Sequence, residues 1–183
     1  DLGGNVGAFA IQAISKGATV DIYEPDPYNC KMIERNLKLN NMTANIYQKA
    51  VVSNDNKKMT MYVGNNMQVW RNSLYKDWGN QKFSVDCVHF SEVLNEPKNC
   101  VKMDIEGAEM DILENMNVFP NKMVFEWSLD IDRSLTRYRK MIDKFKPEYN
   151  KLMYKEQFYG LPDESLPRNI PVACDNIYCY EKS

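Results

Sequence analysis

The chain has 183 residues, a formal net charge of -2 and a sequence pI of about 5.6. This length suits one domain with a sizeable core, and the charge excludes the global basic field of a nucleic-acid-binding protein. We expect neither a membrane span, since no apolar run approaches about 18 residues, nor a signal peptide. Five scattered cysteines without a C-x-x-C pair favour reduced thiols and a cytoplasmic setting; Cys174 and Cys179 could pair but are expected to stay unlinked.

A glycine-rich turn opens the chain at residues 1–7 (D-L-G-G-N-V-G), and Glu24 follows about twenty residues later at the carboxyl end of a predicted strand, 18–23. Glycine lets a backbone turn sharply and approach a ligand closely. The turn should lead into a helix that ends at Gly17, because apolar residues recur at helical spacing: Val6, Phe9, Ala10, Ala13 and Ile14. This order is typical of a nucleotide-binding βαβ unit, in which a carboxylate such as Glu24 can accept hydrogen bonds from both ribose hydroxyls.

The glycine spacing argues against a dinucleotide. A dinucleotide site needs G-x-G-x-x-G for its pyrophosphate, and the required glycines are replaced by Asn5 and Ala8 in one frame and by Val6 and Phe9 in the other. The pattern is instead D-x-G-x-N-x-G, with an acid at the strand end that would repel a pyrophosphate. S-adenosylmethionine carries an ammonium and a sulfonium and no phosphate, so the electrostatics favour this cofactor.

The remaining elements alternate between strands and helices, which indicates an α/β fold with a parallel sheet and right-handed crossovers. Asp26 and Pro27 predict the start of a helix that ends near Leu39. A strand at 44–48 follows, and an antiparallel pair is expected at 58–63 and 83–90. The later elements are a strand at 101–104, a helix at 108–116, a strand at 122–126, an amphipathic helix through Leu135 and Phe145, and a closing antiparallel pair at 152–158 and 176–181.

A second motif, at residues 101–109 (V-K-M-D-I-E-G-A-E), predicts a short strand that ends in three acids around a glycine. Together with the first motif it resembles the FkbM family of S-adenosylmethionine-dependent methyltransferases. That family shows D-x-G-x-N-x-G, an acid after the second strand, K-x-D-x-E-G-A-E and a strand ending in Glu, here residues 1–7, Glu24, 102–109 and 123–126. The order and spacing agree across most of the chain. Two places depart from the family: Ser91 stands where Asp is usual, and 113–116 lacks the usual Gly.

The resemblance implies a class I, Rossmann-like methyltransferase fold: a mostly parallel twisted sheet with helices on both faces and an antiparallel C-terminal strand pair. Such a sheet needs a strand before the glycine-rich turn. We therefore expect residues 1–183 to be a single methyltransferase domain and a fragment of a longer chain, with its first strand truncated. The alternative is that the preceding residues are simply missing.

The resemblance also implies which residues contact the cofactor, although the glycine-rich segment could instead be an ordinary tight turn. In methyltransferases of this general fold, residues after the third strand often flank the adenine. The expected contacts are Asp1, Gly3, Asn5 and Gly7 for the methionine end, Glu24 for the ribose, Lys49 and Ala50 for the adenine, and Asp104.

Asp104 is the predicted centre of catalysis, because ligands of open α/β sheets lie at the carboxyl ends of the strands. Methylation of a hydroxyl is an in-line attack of oxygen on the sulfonium methyl, and Asp104 could take the hydroxyl proton as a base or hold a divalent cation. Glu106 and Glu126 are the other candidates, and Asp104 with Glu126 would suit Mg²⁺ or Mn²⁺; a metal-free site is an equal alternative. Glu106 could instead, like Glu109, only place negative charge at the first turn of a helix.

A polar, aromatic loop at 64–81 is the candidate for substrate binding, since aromatic rings can stack on sugars and loops at strand ends carry specificity. The alternative is that its rings pack against the hairpin. The candidate substrate contacts are Trp70, Arg71 and Trp78, with Tyr75 in the same loop and Trp127 after Glu126.

For two further features, the only histidine and the basic late helix, we expect a structural role rather than a functional one. His89, the only histidine, lies in an apolar stretch and is expected to be a packed strand residue rather than a base. The late helix is basic, with Arg137 and Lys144 among its residues, and is interpreted as a solvated face; an anionic glycan or a partner domain is the alternative.

The family resemblance implies transfer of a methyl group to an oxygen, with a sugar hydroxyl of a glycan or glycosylated product as the expected acceptor. The βαβ start and Glu24 leave a nicotinamide-dependent oxidoreductase as one alternative. Ser91 and the missing helix glycine leave a non-catalytic docking module as another. A glycosyltransferase domain in the same longer chain would make sense, because building and capping a glycan are sequential steps; no nucleic-acid partner is expected.

Overall fold

The computed structural model describes residues 1–64, 72–77, 81–128, 131–132, 134–156 and 174–182. The chain divides into two compact units, Asp1–Val93 and Leu94–Ser183. Among the described residues, no helix combines the length and the apolar character that crossing a bilayer requires.

The first unit begins with the expected β–α–β arrangement. Its strands β1 and β2 are parallel, with Ile22 opposite Ile46, and β3 is likewise parallel to β5, while β4 is antiparallel to β5 as predicted. The elements are α1 (Ala8–Ser15), β1 (Asp21–Tyr23), α2 (Pro27–Leu39), β2 (Asn45–Tyr47), β3 (Ala50–Val52), β4 (Lys58–Tyr62), β5 (Lys82–His89) and α3 (Phe90–Val93).

Local chemistry sets the ends of the first two helices. Asp26 begins α2, because its Oδ1 accepts a hydrogen bond of 2.8 Å from the Tyr28 N–H while Pro27 occupies the first helical position. Gly17, with φ of +90°, lies just beyond α1 and donates its N–H to the Ile14 carbonyl at 2.9 Å. Both predicted helix ends are confirmed.

Two apolar clusters form the core of the first unit. One joins α1, β1 and α2 through Ala10, Ile22, Ile33 and Leu37. The other lies on β3, β4 and β5 and consists of Ala50, Val52, Met61, Leu74, Val85 and Cys87. All three residues of β3 are buried, and two of them, Ala50 and Val52, belong to the second cluster.

The second unit is a four-stranded sheet in the order β6-β7-β9-β8. Strands β6 and β7 are parallel, whereas β9 runs antiparallel to both β7 and β8. The closing antiparallel pair is therefore confirmed, although β8 begins three residues earlier than the sequence indicated. The elements are β6 (Val101–Met103), α4 (Glu109–Asn115), β7 (Met123–Ser128), α5 (Leu135–Phe145), β8 (Tyr149–Met153) and β9 (Cys174–Lys182).

The class of fold is α/β, as expected, and the sheets are mixed. In the described part of the chain, three strand pairs are parallel and three are antiparallel. The helices α4 and α5 follow the parallel strands β6 and β7 along the chain. Apolar side chains of α5 (Tyr138, Ile142 and Phe145) are fully buried, as are Met103 and Phe125 of the strands.

Gly4 supplies a stability prediction. A Cβ at Gly4 would overlap Cγ2 of Ile22, a methyl group on a branched carbon that has little freedom to move. A Cβ at Gly17 would meet nothing within 4 Å, so Gly17→Ala adds only the strain of a left-handed backbone. We expect Gly4→Ala to lower the free energy of unfolding by about 1–3 kcal/mol, and more than Gly17→Ala does. Chemical denaturation of both variants measures the difference, and equal losses would contradict the predicted overlap.

Candidate active site

The glycine-rich loop of the first unit is built on left-handed residues. Gly3, Asn5 and Gly7 have φ of 81°, 49° and 85°, a region that glycine adopts freely and asparagine tolerates. The N–H groups of Gly3 and Gly4 both donate to the Tyr23 carbonyl, at 2.9 and 3.2 Å. The loop is therefore fixed to the end of β1, and Gly7 leads directly into α1.

Glu24 is the group that fastens this loop. Its side chain is only 5% exposed, and its carboxylate accepts hydrogen bonds from the N–H of Asn5 at 2.8 Å and of Asp26 at 2.9 Å. Burial raises its pKa, while these two N–H groups act in the opposite direction. Each carboxylate oxygen has lone pairs for more than one donor, so the same group can also accept from a ligand hydroxyl.

Asp1 and Leu2 run beside β1. The Tyr23 N–H donates to the Asp1 carbonyl at 2.9 Å, and Leu2 forms a parallel bridge with Tyr23. The carboxylate oxygens of Asp1 are buried. The structure thus brings four of the predicted cofactor contacts, Gly3, Asn5, Gly7 and Glu24, into one region with Asp1 at its start.

The two residues predicted to flank the adenine have different surroundings. Lys49 is exposed after β2. Ala50 lies in β3, where it is 3% exposed and its methyl group belongs to the second apolar cluster. Because the Ala50 side chain packs in the core, a contact of Ala50 with the adenine would involve its backbone.

The described end of the aromatic loop is tied to the start of α2. Asn72 donates from Nδ2 to Asp26 Oδ2 at 2.7 Å, and its Oδ1 accepts the Gly64 N–H at 3.1 Å. Asp26 in turn donates its N–H to Glu24. Sequence reasoning identified Asp26 only as a helix cap and missed this second role. Trp70, Arg71 and Trp78, predicted to contact the substrate, lie outside the described residues, and Tyr75 is 39% exposed.

His89 ends β5 with both ring nitrogens in contact. Nδ1 lies 2.7 Å from Ser91 Oγ, and Nε2 lies 3.3 Å from the Ser53 carbonyl. A carbonyl accepts, so Nε2 carries the proton and Nδ1 is the acceptor. This arrangement agrees with the predicted packed strand residue.

In the second unit the predicted acids come together. Met103 pairs with Phe125 in the parallel register, so Asp104 and Glu126, one residue further along each strand, lie side by side. Glu106, in a left-handed turn with φ of 53°, completes an acidic cluster of three partly buried side chains, whose carboxylate oxygens lie within 4.8 Å of one another. At roughly 5 Å, two unit charges repel by about 1 kcal/mol in water and about 3 kcal/mol at an effective dielectric constant of 20.

Glu109 closes the turn that carries Glu106. It is 1% exposed, and its carboxylate accepts the N–H of Ile105 at 2.7 Å and of Gly107 at 2.8 Å. Burial raises its pKa to about 8. Glu109 is the first residue of α4, where negative charge was expected, and its side chain also holds the turn before that helix. The raised pKa argues against a permanent negative charge there.

Gly107 is required at this turn on two counts. Its φ of +108° disfavours other residues, and a Cβ would lie 2.6 Å from Cγ2 of Ile131. Ile131 therefore covers the backbone of the turn next to Glu106.

Two predictions in this unit are corrected. Trp127 is 0% exposed and stacks on Tyr138 with ring centroids 4.3 Å apart, so it is a core residue rather than a substrate contact; it alternates with Glu126 and points to the opposite face of the strand. The expectation of a solvated face is corrected for Arg137 and Lys144 of α5, whose charged groups contact α4 and, for Arg137, also Asp132. Arg137 pairs with Asp111, Glu114 and Asp132 at 2.7–2.8 Å, and Lys144 Nζ donates to the carbonyls of Leu113 and Glu114.

Each unit contains a parallel β–α–β pair. The first carries a glycine-rich loop and a buried glutamate at its strand ends, and the second carries an acidic motif. These features define the class of protein as the S-adenosylmethionine-dependent methyltransferases with the class I, Rossmann-like fold. Residues 1–154 match the family model described as the methyltransferase FkbM domain. The chain therefore belongs to the FkbM methyltransferase family, as the motifs indicated, and the alternative of a nicotinamide-dependent oxidoreductase is discarded.

Two solved structures are similar to the chain at low identity. One is a tRNA (uracil-54, C5)-methyltransferase of Pyrococcus abyssi in complex with S-adenosyl-L-homocysteine, with 12% identity and a TM-score of 0.47 over 96% of this chain. The other is a putative methylase of Haemophilus influenzae, with 14% identity and a TM-score of 0.42; the match covers 98% of this chain and 83% of that one. The chain spans about a third (32%) of the length of the Pyrococcus protein. Curated protein sequences gave no match.

The buried carboxyl of Glu109 predicts a pH dependence of stability. Its pKa is raised from 4.5 to about 8, so the folded state holds the proton more tightly than the unfolded state, and this contribution is complete at low pH and lost as the pH rises towards 8. We expect the free energy of unfolding to fall between pH 5 and pH 8 in the wild type and to fall less in Glu109→Gln. Denaturant titrations at several pH values measure this, with exposed Glu92→Gln as the control that keeps the wild-type slope. Identical slopes in wild type and Glu109→Gln would contradict the prediction.

Proposed function

We propose that this domain transfers the methyl group of S-adenosylmethionine to an oxygen, and that the acceptor is a sugar hydroxyl of a glycan or glycosylated product. The observation that carries the proposal is the acidic cluster, with Asp104 just after β6 and Glu126 beside it within β7, in a chain of a methyltransferase family. A carboxylate at that place can remove the proton of a weakly nucleophilic hydroxyl. The sugar as acceptor comes from the family resemblance.

The proposed cofactor site is the glycine-rich loop with Glu24. The backbone of Gly3, Asn5 and Gly7 leaves room for close approach of the methionine end, and Glu24 would accept from the ribose hydroxyls. An acid is compatible with this cofactor because S-adenosylmethionine carries positive charge and no phosphate. Lys49 stays a candidate for the adenine end, since it is exposed after β2.

The proposed chemistry is a single displacement. The acceptor oxygen forms a bond to the methyl carbon while the bond from that carbon to the sulfonium breaks, and the electron pair of the broken bond stays on sulfur, leaving neutral S-adenosylhomocysteine. The hydroxyl proton passes to Asp104. Because the sulfonium is already a good leaving group, positioning supplies much of the rate.

A divalent cation is not part of the proposed mechanism. The donor set of Asp104, Glu106 and Glu126 suits Mg²⁺ or Mn²⁺ in type. However, the ammonium of Lys102 already lies 3.5 Å from Asp104 Oδ2, so a positive charge is present at the cluster. The residues therefore fit a metal ion poorly.

The proposed setting of the domain is the cytoplasm. Cys30, Cys87, Cys100 and Cys179 are free thiols, which is compatible with a reducing, cytoplasmic compartment. A neighbouring glycosyltransferase domain would be a suitable partner in a longer chain, because it would produce the sugar that this domain caps.

Glu24→Gln tests the cofactor site. The amide has one acceptor oxygen, whereas the carboxylate has two. We therefore expect the dissociation constant for S-adenosylmethionine to rise about tenfold or more, as for loss of a hydrogen bond to a charged group. Isothermal titration calorimetry measures it, with thermal unfolding to check that the variant is folded. Glu34→Gln, an exposed acid of α2, is the matched control and should bind like the wild type. Unchanged affinity in folded Glu24→Gln would reject the ribose contact.

Asp104→Asn tests the base. We expect binding of S-adenosylmethionine to persist while methyl transfer to a panel of glycan acceptors falls by a factor on the order of 10²–10⁴, measured as S-adenosylhomocysteine produced. Asp86→Asn, which alters an exposed acid of β5, should keep full transfer. Full turnover by Asp104→Asn would remove Asp104 from the mechanism, and cofactor binding by the wild type without transfer to any acceptor would favour the non-catalytic docking module.

A further inference from the structure

Lys102 lies on the same strand face as the acidic cluster. Side chains two residues apart on a strand point to the same face. Lys102 of β6 and Asp104, the residue just after β6, therefore share a face. Glu126 of β7 shares it too, because Lys102 pairs with Val124. Lys102 Nζ lies 3.5 Å from Asp104 Oδ2, and its side chain is 17% exposed, compared with 40% for Asp104. The side chain of Lys102 is thus more buried as a whole than the side chain of Asp104.

The cluster needs positive charge. Asp104 and Glu126 occupy neighbouring positions of adjacent strands, where like charges destabilise the pair, and Glu106 adds a third carboxylate within 4.8 Å. Two other basic groups of this unit are engaged elsewhere: Arg137 with the acids of α4 and with Asp132, and Lys144 with the end of α4. Lys102, by contrast, lies on β6 next to the cluster.

We propose that Lys102 is a positioning residue that supplies a resident positive charge to the acidic cluster and thereby takes the place that a divalent cation would otherwise occupy. The ammonium lies 3.5 Å from Asp104 Oδ2, an oxygen that a metal ion would need, and its charge repels a second cation. Lys102 is part of the chain and, unlike a metal ion, does not have to bind from solution. The orientation of the Asp104 carboxylate therefore does not depend on the metal concentration. The part of the proposal that concerns transfer rests on the proposed function; the part that concerns metal exclusion does not.

Manganese binding tests the exclusion directly. Mn²⁺ is titrated into the wild type and Lys102→Met without cofactor, and free Mn²⁺ is followed by electron paramagnetic resonance. We expect Lys102→Met to bind Mn²⁺ about tenfold tighter or more, because one positive charge leaves a site of three carboxylates. The gain should disappear in Lys102→Met combined with Glu126→Gln. Lys58→Met, which breaks an exposed ion pair with Asp86, is the control and should bind Mn²⁺ like the wild type.

Lys102→Arg tests whether the charge of Lys102 or the shape of its side chain excludes Mn²⁺. It keeps the cation, so it should exclude Mn²⁺ as the wild type does. Equal Mn²⁺ affinity in wild type and Lys102→Met would overturn the proposal. Should Lys102→Met not fold, Lys102→Gln serves in its place, and micromolar Mn²⁺ binding by the wild type alone would be sufficient to overturn it.

The transfer assay gives the second readout. A chelator should leave wild-type turnover unchanged, whereas Lys102→Met should lose turnover and regain part of it with Mn²⁺. Chelator-sensitive wild-type turnover would overturn the role of Lys102. Absence of transfer under all conditions, combined with the expected Mn²⁺ results, would reject the proposed function and leave the charge assignment in place.

Discussion

Both units depend on the same interaction, a buried carboxylate that accepts backbone N–H groups of a strand-end loop. Glu24 binds the N–H of Asn5 and of Asp26, and Glu109 binds those of Ile105 and Gly107. A buried N–H without an acceptor is costly, and these loops contain left-handed residues that leave their N–H groups outside any ladder. One carboxylate in each unit satisfies them and fixes the shape of the loop.

The hydrogen bonds of Glu109 explain how the second unit accommodates the strain and the negative charge of the acidic cluster. Glu106 stands in a left-handed conformation beside two other acids, which both cost free energy. The neighbouring elements compensate: Glu109 holds the turn, Ile131 covers Gly107, and Lys102 offers a positive charge to Asp104. The free energy for this arrangement comes from the apolar core of the unit, in which Trp127 and Phe125 are fully buried.

Sequence patterns predicted local features, such as the bounds of a helix, better than they predicted the direction in which a side chain points. The bounds of α2 were correct because Asp26, Pro27 and the two asparagines after Leu39 act locally. Trp127 was assigned to the substrate because it follows Glu126, yet one step along a strand reverses the face. Ala50 was assigned to the cofactor because residues after the third strand often flank the adenine, and the sequence did not indicate that 50–52 form a buried strand, β3, paired with β5. The basic residues of α5 gave no indication that they meet the acids of α4.

By itself the sequence determined the order of the motifs, the family, the left-handed glycine turns and the acids that follow β1 and β6, since each depends on residue type and close spacing. The strand expected to end at Glu126 continues to Ser128. Only the tertiary structure decided which distant groups meet. The register of β6 with β7 brings Glu126 next to Asp104, and the hydrogen bond from Asn72 to Asp26 joins residues 46 positions apart. Such contacts are set by strand pairing and by the burial of whole faces, and neither is encoded in any short stretch of residues.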